Sequence, residues 1–149
     1  MRRAAETPDA PAVHDEQGTL GYAELAAHAA AVADALRAAG ARPGDKVAVH
    51  LPRGRGQVIA VLGSLLAGCV YIPLDHGIPA GRLDSIARRG EVRFAFTDGR
   101  PEADQGWARR GVRPCTCRSR TPCPPGRRAP PGPGRDAHGV HHLHLRLDR

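Results

Sequence analysis

Leu65-Leu66-Ala67-Gly68-Cys69-Val70-Tyr71-Ile72-Pro73-Leu74-Asp75 is the stretch on which the reading of this 149-residue chain turns. It joins the end of one apolar pattern to the start of another. Upstream, Gln57 to Ala67 holds Val58, Ile59, Val61, Leu62, Leu65 and Leu66. That segment is apolar on nearly all sides, which predicts a deeply buried helix. Gly68 ends it. Cys69 to Leu74 is a short apolar run stopped by Pro73 and Asp75, which predicts a strand.

Outward from this core the same alternation repeats. Val47 to Leu51 is a β-rich run, preceded by the turn-forming Pro43-Gly44-Asp45. Tyr22 to Ala39 is rich in alanine, the best helix former. Leu25, Ala29, Val32 and Leu36 make one apolar stripe there at helical spacing. Gly21 stands at the N-cap with Glu24 three residues on, and Gly40 is placed to close the helix. Ala80 to Arg89 predicts a weaker helix and Val92 to Thr97 a third strand. Short apolar strands separated by helices point to an α/β fold with a partial parallel sheet and flanking helices.

Residues 99–149 read differently. Residues 1–98 balance ten Arg and one Lys against eleven acids, whereas 99–149 carry eleven Arg against four acids, the whole net charge of +7. No Val, Ile, Leu, Met, Phe, Tyr or Trp lies between Arg113 and Gly139. A segment of that composition buries too little apolar surface to offset its ordering entropy, so 99–149 is expected to be a disordered Pro/Arg/Gly-rich tail. Met1-Arg2-Arg3 leads into no apolar segment, so a signal peptide is not expected. No run long enough to cross a membrane occurs in the sequence, and the cytoplasm is the expected location.

Residues 1–98 resemble the N-terminal region of the AMP-forming adenylating enzymes, above all the amino-acid adenylation domains of nonribosomal peptide synthetases. Leu20-Gly21-Tyr22-Ala23-Glu24-Leu25 is similar to the family's Leu-Thr-Tyr-x-Glu-Leu. Pro43-Gly44-Asp45-Lys46-Val47-Ala48-Val49 is similar to its Pro-Gly-Asp-x-Val-Ala, and the opening stretch 65–75 to its Leu-Lys-Ala-Gly-x-Ala-Tyr-Val-Pro-Leu-Asp. Pro79-Ala80-Gly81-Arg82-Leu83 and Phe94-Ala95-Phe96-Thr97-Asp98 continue the pattern in order. Gly21, Leu66, His76 and Gly81 depart from it, standing where Thr or Ser, Lys, Pro and Glu are usual. The resemblance implies an ATP- and Mg-dependent ligase that joins a carboxylic or amino acid to AMP and passes the acyl group to a phosphopantetheine carrier.

It also implies a Ser/Thr/Gly-rich phosphate loop ending in Lys, and this chain has no Lys beyond Lys46. The expectation is therefore a truncated fragment, inactive alone, with no catalytic, cofactor-binding or metal-binding residue of its own. The missing loop is nonetheless legible in another frame. His141-His142-Leu143-His144-Leu145-Arg146-Leu147-Asp148-Arg149, written as codons and shifted by one base, permits Ile-Ile-Tyr-Thr-Ser-Gly-Ser-Thr-Gly, and Gly139-Val140 permits Ala-Tyr before it. This is the family's phosphate-loop signature. It places a slip of frame after Asp98 and before about Asp136, and makes the tail out-of-frame translation.

Two other readings compete. An Arg-rich tail gives a small non-enzymatic protein salt-sensitive contacts with nucleic acid or acidic partners, but no aromatic residue follows Trp107 to stack on bases, so nucleic acid is not the expected partner. Cys115, Cys117 and Cys123 with His138, His141, His142 and His144 suggest a metal-binding accessory, but Cys-x-Cys-x5-Cys matches no structural zinc spacing. Gly54 and Gly56 lack the third Gly and the Lys of a phosphate loop and read as a turn. His14, His28, His50 and Cys69 have no partner at motif spacing.

Overall fold

The computed structural model describes residues 2–118 and 144–147. A short helix α1 (Arg2–Glu6) leads into a hairpin of β1 (Pro11–Asp15) and β2 (Gly18–Gly21). There follow α2 (Tyr22–Ala38), β3 (Lys46–Val49), α3 (Arg55–Leu66), β4 (Val70–Pro73), α4 (Ala80–Arg89) and β5 (Val92–Thr97). Then come α5 (Pro101–Arg109), β6 (Arg113–Arg118) and β7 (His144–Leu147). Among the described residues no helix is long and apolar enough to cross a membrane.

The main sheet has the order β4-β3-β5-β6-β7, with β3, β4, β5 and β6 parallel and β7 antiparallel at the edge. This is an α/β fold with helices on both faces. Alternation along the strands, broken between Val92 and Phe94 where the β3–β5 register shifts, sorts two cores. Val47, Val49, Phe94, Phe96 and Cys115 face α2 and α3 through Val32, Leu36, Ile59 and Ala60. Ala48, Val92 and Ala95 face α4 and α5 through Leu83, Ala87 and Trp107. The chain leaves β3 for β4 on one side, then crosses back to β5 on the other, so the direction of winding reverses beside β3.

The stretches that decided the fold are its joints. Gly68 closes α3 at φ +80°, a conformation that side chains disfavour, and a Cβ there would sit 3.3 Å from the Pro43 ring. Gly44 N donates to Gly68 O at 2.8 Å and Val70 N to Asp45 O at 2.9 Å, so the 43–49 and 65–75 motifs form one corner. The Asp45 carboxylate closes its own turn on Arg42 N at 2.8 Å and pairs with Arg93 at 2.7 Å. The Arg42 backbone bond, with Arg93 behind it, holds that carboxyl below its ordinary value. At the start of α2, Gly21 N donates to Glu24 Oε2 at 3.1 Å, the half of a capping box that a glycine permits. At its end, Ala41 N reaches Leu36 O and Gly40 N reaches Arg37 O, a Schellman closure.

Three sequence expectations need correction. Residue 98 is not the end of folded structure. Pro101 at the first turn, with Glu102 and Asp104 behind it, starts α5, and Trp107, Val112 and Cys115 are buried. One indole and two small apolar side chains suffice because the sheet edge at β5 is already there to receive them. Nor is the end of the expected tail without structure, since β7 pairs with the open edge of β6. The rest of the expected tail lies outside the described residues. Finally, α3 is buried on one face only, through Ile59, Ala60, Gly63 and Ser64. Val58, Leu65 and Leu66 are 36%, 53% and 37% exposed, because no other described element covers that side.

Candidate functional site

Open parallel sheets bind ligands outside the carboxyl ends of their strands, where the winding reverses. Here that place lies beyond Val49 of β3, Pro73 of β4 and Thr97 of β5. A cleft of about 650 Å³ opens there, lined among others by Arg53, Gln57, Asp75, His76 and Arg82. Beside it the strand ends bring two histidines together, His50 and His76, with ring centroids 5.6 Å apart.

Each histidine is held by a different set of groups. His50 continues β3, donating its backbone N–H to Phe96 O at 3.0 Å. Its Nδ1 accepts from Trp107 Nε1 at 3.4 Å, and the two rings meet edge to face at 6.0 Å. Burial pushes the His50 imidazole below histidine's ordinary 6.5, and the charge of His76 adds to that; backbone groups of His76 and Asp75 and the Asp98 carboxylate pull the other way. His76 Nε2 lies 3.7 Å from Asp98 Oδ2 and in contact with Arg100 Nη2. Asp98 also binds Arg100 Nε at 2.5 Å and Arg100 N at 3.2 Å. Thr97 donates its hydroxyl to Asp104 of α5.

The neighbouring helix start is already occupied. Gly54 takes φ +142° ahead of α3, and Asp15 from the hairpin accepts from Arg55 N at 3.0 Å and from the Arg55 guanidinium at 2.5 to 3.0 Å. Arg55 side-chain bonds, then its backbone N–H, hold the Asp15 carboxyl far below the usual carboxylate range. The Gly54-Arg55-Gly56 turn is thus a joint between hairpin and helix. This helix start is capped by Asp15, and among the described residues no group of three His, Cys, Asp or Glu is placed to hold a metal ion.

The remaining sequence candidates scatter. His14 bonds Thr19 at 2.9 Å, and His28 is buried on α2. Cys69 is a core thiol whose pKa burial raises, which keeps it a poor nucleophile. Cys115 is buried between β6 and the helices, and no set of metal ligands gathers around it among the described residues. Cys123, His138, His141 and His142 lie outside the described residues. The pairing of His50 with His76 is what sequence reasoning missed. Its only trace is that each lies just past a strand, His50 one residue after β3 and His76 three after β4.

The profile of the AMP-binding enzyme family matches residues 1–132, and the chain belongs to that family. Within it, the similarity runs to peptide synthetases. The chain is 50% identical over 101 residues to phenyloxazoline synthase MbtB of Mycobacterium tuberculosis (strain ATCC 25618 / H37Rv), which covers 68% of this chain and 7% of that protein. It is 44% identical over 90 residues to pyochelin synthetase PchF of Pseudomonas aeruginosa, covering 60% of this chain and 5% of PchF. Among solved structures, the nonribosomal peptide synthetase FmoA3 in its alpha-methyl-L-serine-AMP bound form superposes with a TM-score of 0.63 at 39% identity, covering 66% of this chain and 11% of FmoA3. The chain is homologous to adenylation domains and spans less than a tenth of the length of the curated relatives it matches.

Proposed function

We propose that this chain is the opening segment of an ATP-dependent acid-activating domain of the amino-acid adenylating kind, and that it does not activate an acid by itself. The carrying observation is that the three longest of its matched motifs are joints of the scaffold. The 43–49 and 65–75 stretches build one corner, the 20–25 stretch caps α2, and the only Lys of the chain is Lys46, at the amino end of β3 and bonded to Glu91. The substrate acid, ATP with Mg and a phosphopantetheine carrier belong to the intact domain. The hidden phosphate-loop reading of 139–149 supports a frame slip upstream of it. Burial of Trp107, Val112 and Cys115 supports placing that slip after Cys115 and before about Asp136.

The test has two arms. Purified chain, given ATP and a panel of amino and aryl acids, is expected to show no acid-dependent exchange of labelled pyrophosphate into ATP; robust exchange with any acid defeats the proposal. Sequencing the gene through codons 116–149 is expected to show the shifted frame open into a Lys-bearing loop. Codons that spoil the shifted loop would favour a small protein with a basic tail instead.

A further inference from the structure

We propose that His50 and His76 form a proton-operated latch that holds α5 against the carboxyl edge of the sheet when neutral and releases it when protonated. The latch rests on which nitrogen does what. His50 Nδ1 takes the Trp107 indole N–H, so it must be unprotonated. Its Nε2 is buried without a well-aligned hydrogen-bond partner among the described residues, facing backbone groups of Asp75 and His76, and carries the proton of the neutral ring. A second proton can only go to Nδ1. That turns the acceptor into a donor pointed at another donor, and the Trp107 bond is lost.

His76 reinforces the effect. Its Nε2 meets the Arg100 guanidinium, which requires an unprotonated nitrogen there too. When both rings are charged, two imidazoliums stand 5.6 Å apart, partly out of water. Arg53 ahead of α3 and Arg82 of α4 line the cleft with His76, and the other charged groups facing the pair are few. Asp75 lies after β4, Asp98 and Arg100 lie after β5, and Asp104, tied to Thr97, lies on α5. Arg110 of α5 sits 6.0 Å from the Trp107 ring and is itself paired with Asp84 of α4. Asp98 is already shared with Arg100, so it is poorly placed to neutralise two added charges. What is released is the end of α5 that carries Trp107, the largest fully buried side chain described.

The direction follows from burial. The folded His50 resists protonation more than the unfolded chain does, so the unfolded or undocked state binds more protons below the ordinary histidine value of 6.5. Docking is fully favourable above that value and weakens as pH falls through it toward the lower folded value.

Trp107 is the single Trp of the chain and reports on the latch directly. Emission of the full chain is followed from about pH 8 to about pH 5, the range in which histidine titrates. The wild type is expected to shift its emission to the red, reversibly, with a midpoint below 6.5. His50→Gln keeps an acceptor oxygen for the indole and removes the titration, so its shift is expected to vanish. His76→Gln removes a neighbouring charge that opposes protonation of the docked His50, so the docked and undocked values draw together and its midpoint is expected to move to lower pH. A wild type without the shift overturns the proposal, as does a His50→Gln variant that keeps it. Should His50→Gln fail to show wild-type circular dichroism at pH 8, His76→Gln becomes the deciding variant, and an unmoved midpoint there overturns the latch.

Discussion

Gly63 sits where α3 crosses α2, and replacing it with Ala pits two effects of known size against each other. Ala favours a helix interior over Gly by about 1 kcal/mol. The added Cβ, however, would lie 2.5 Å from Val32 Cβ, closer still to Val32 Cγ1, and 3.0 Å from Ala29 O. Carbon atoms rest at about 3.5–4.0 Å, so the helices must part by about 1 Å. Neither neighbour is the free end of a flexible side chain; Val32 is fully buried and Ala29 contributes backbone. Overpacking of that kind costs about 1–3 kcal/mol, and parting α2 from α3 loosens Leu36, Ile59 and Ala60 as well. We expect Gly63→Ala to lose up to about 2 kcal/mol net, with overpacking outweighing propensity. Gly56→Ala is the control in the same helix: nothing lies within 4 Å of its Cβ, so propensity acts alone, for a gain of up to about 1 kcal/mol. Urea unfolding followed by circular dichroism, at unchanged slope, reads both. If Gly63→Ala unfolds at or above the wild-type midpoint, the helix crossing is not packed as described.

Two further outcomes test the joints and the uncovered face. The Asp15 carboxylate is more acidic folded than unfolded, so its stabilisation is present above its ordinary value of 3.8 and fades as pH falls below it; Asp15→Asn is expected to lower stability at neutral pH and flatten the acid limb, and an unchanged acid profile would refute the joint. Leu65 is half exposed on the uncovered side of α3, beside an apolar groove of about 480 Å³ that Tyr22, Leu25 and Leu62 help to line. Contiguous apolar surface of that kind promotes association, so Leu65→Lys should reduce self-association in sedimentation velocity without changing circular dichroism. Equal association of the two proteins would show that another surface is responsible.

The sequence by itself determined the elements from Tyr22 to Thr97, because their signals are local. An alanine-rich stripe, a glycine at each helix end and short apolar runs are read within one turn or one strand of themselves. Family motifs were legible for the same reason: Pro43-Gly44-Asp45 and Ala67-Gly68 need particular backbone angles, and few residues supply them. Only the tertiary structure decided the rest. α5 and β6 have weak patterns and become ordered because β5 offers a finished edge and Trp107 a large buried surface. The exposed side of α3 is invisible to a pattern that counts apolar residues without knowing what stands opposite. His50 and His76 lie 26 positions apart and share no motif spacing; parallel pairing of β3 with β4, Val49 beside Pro73, is what carries both to one end of the sheet, because parallel strands deliver their carboxyl ends together.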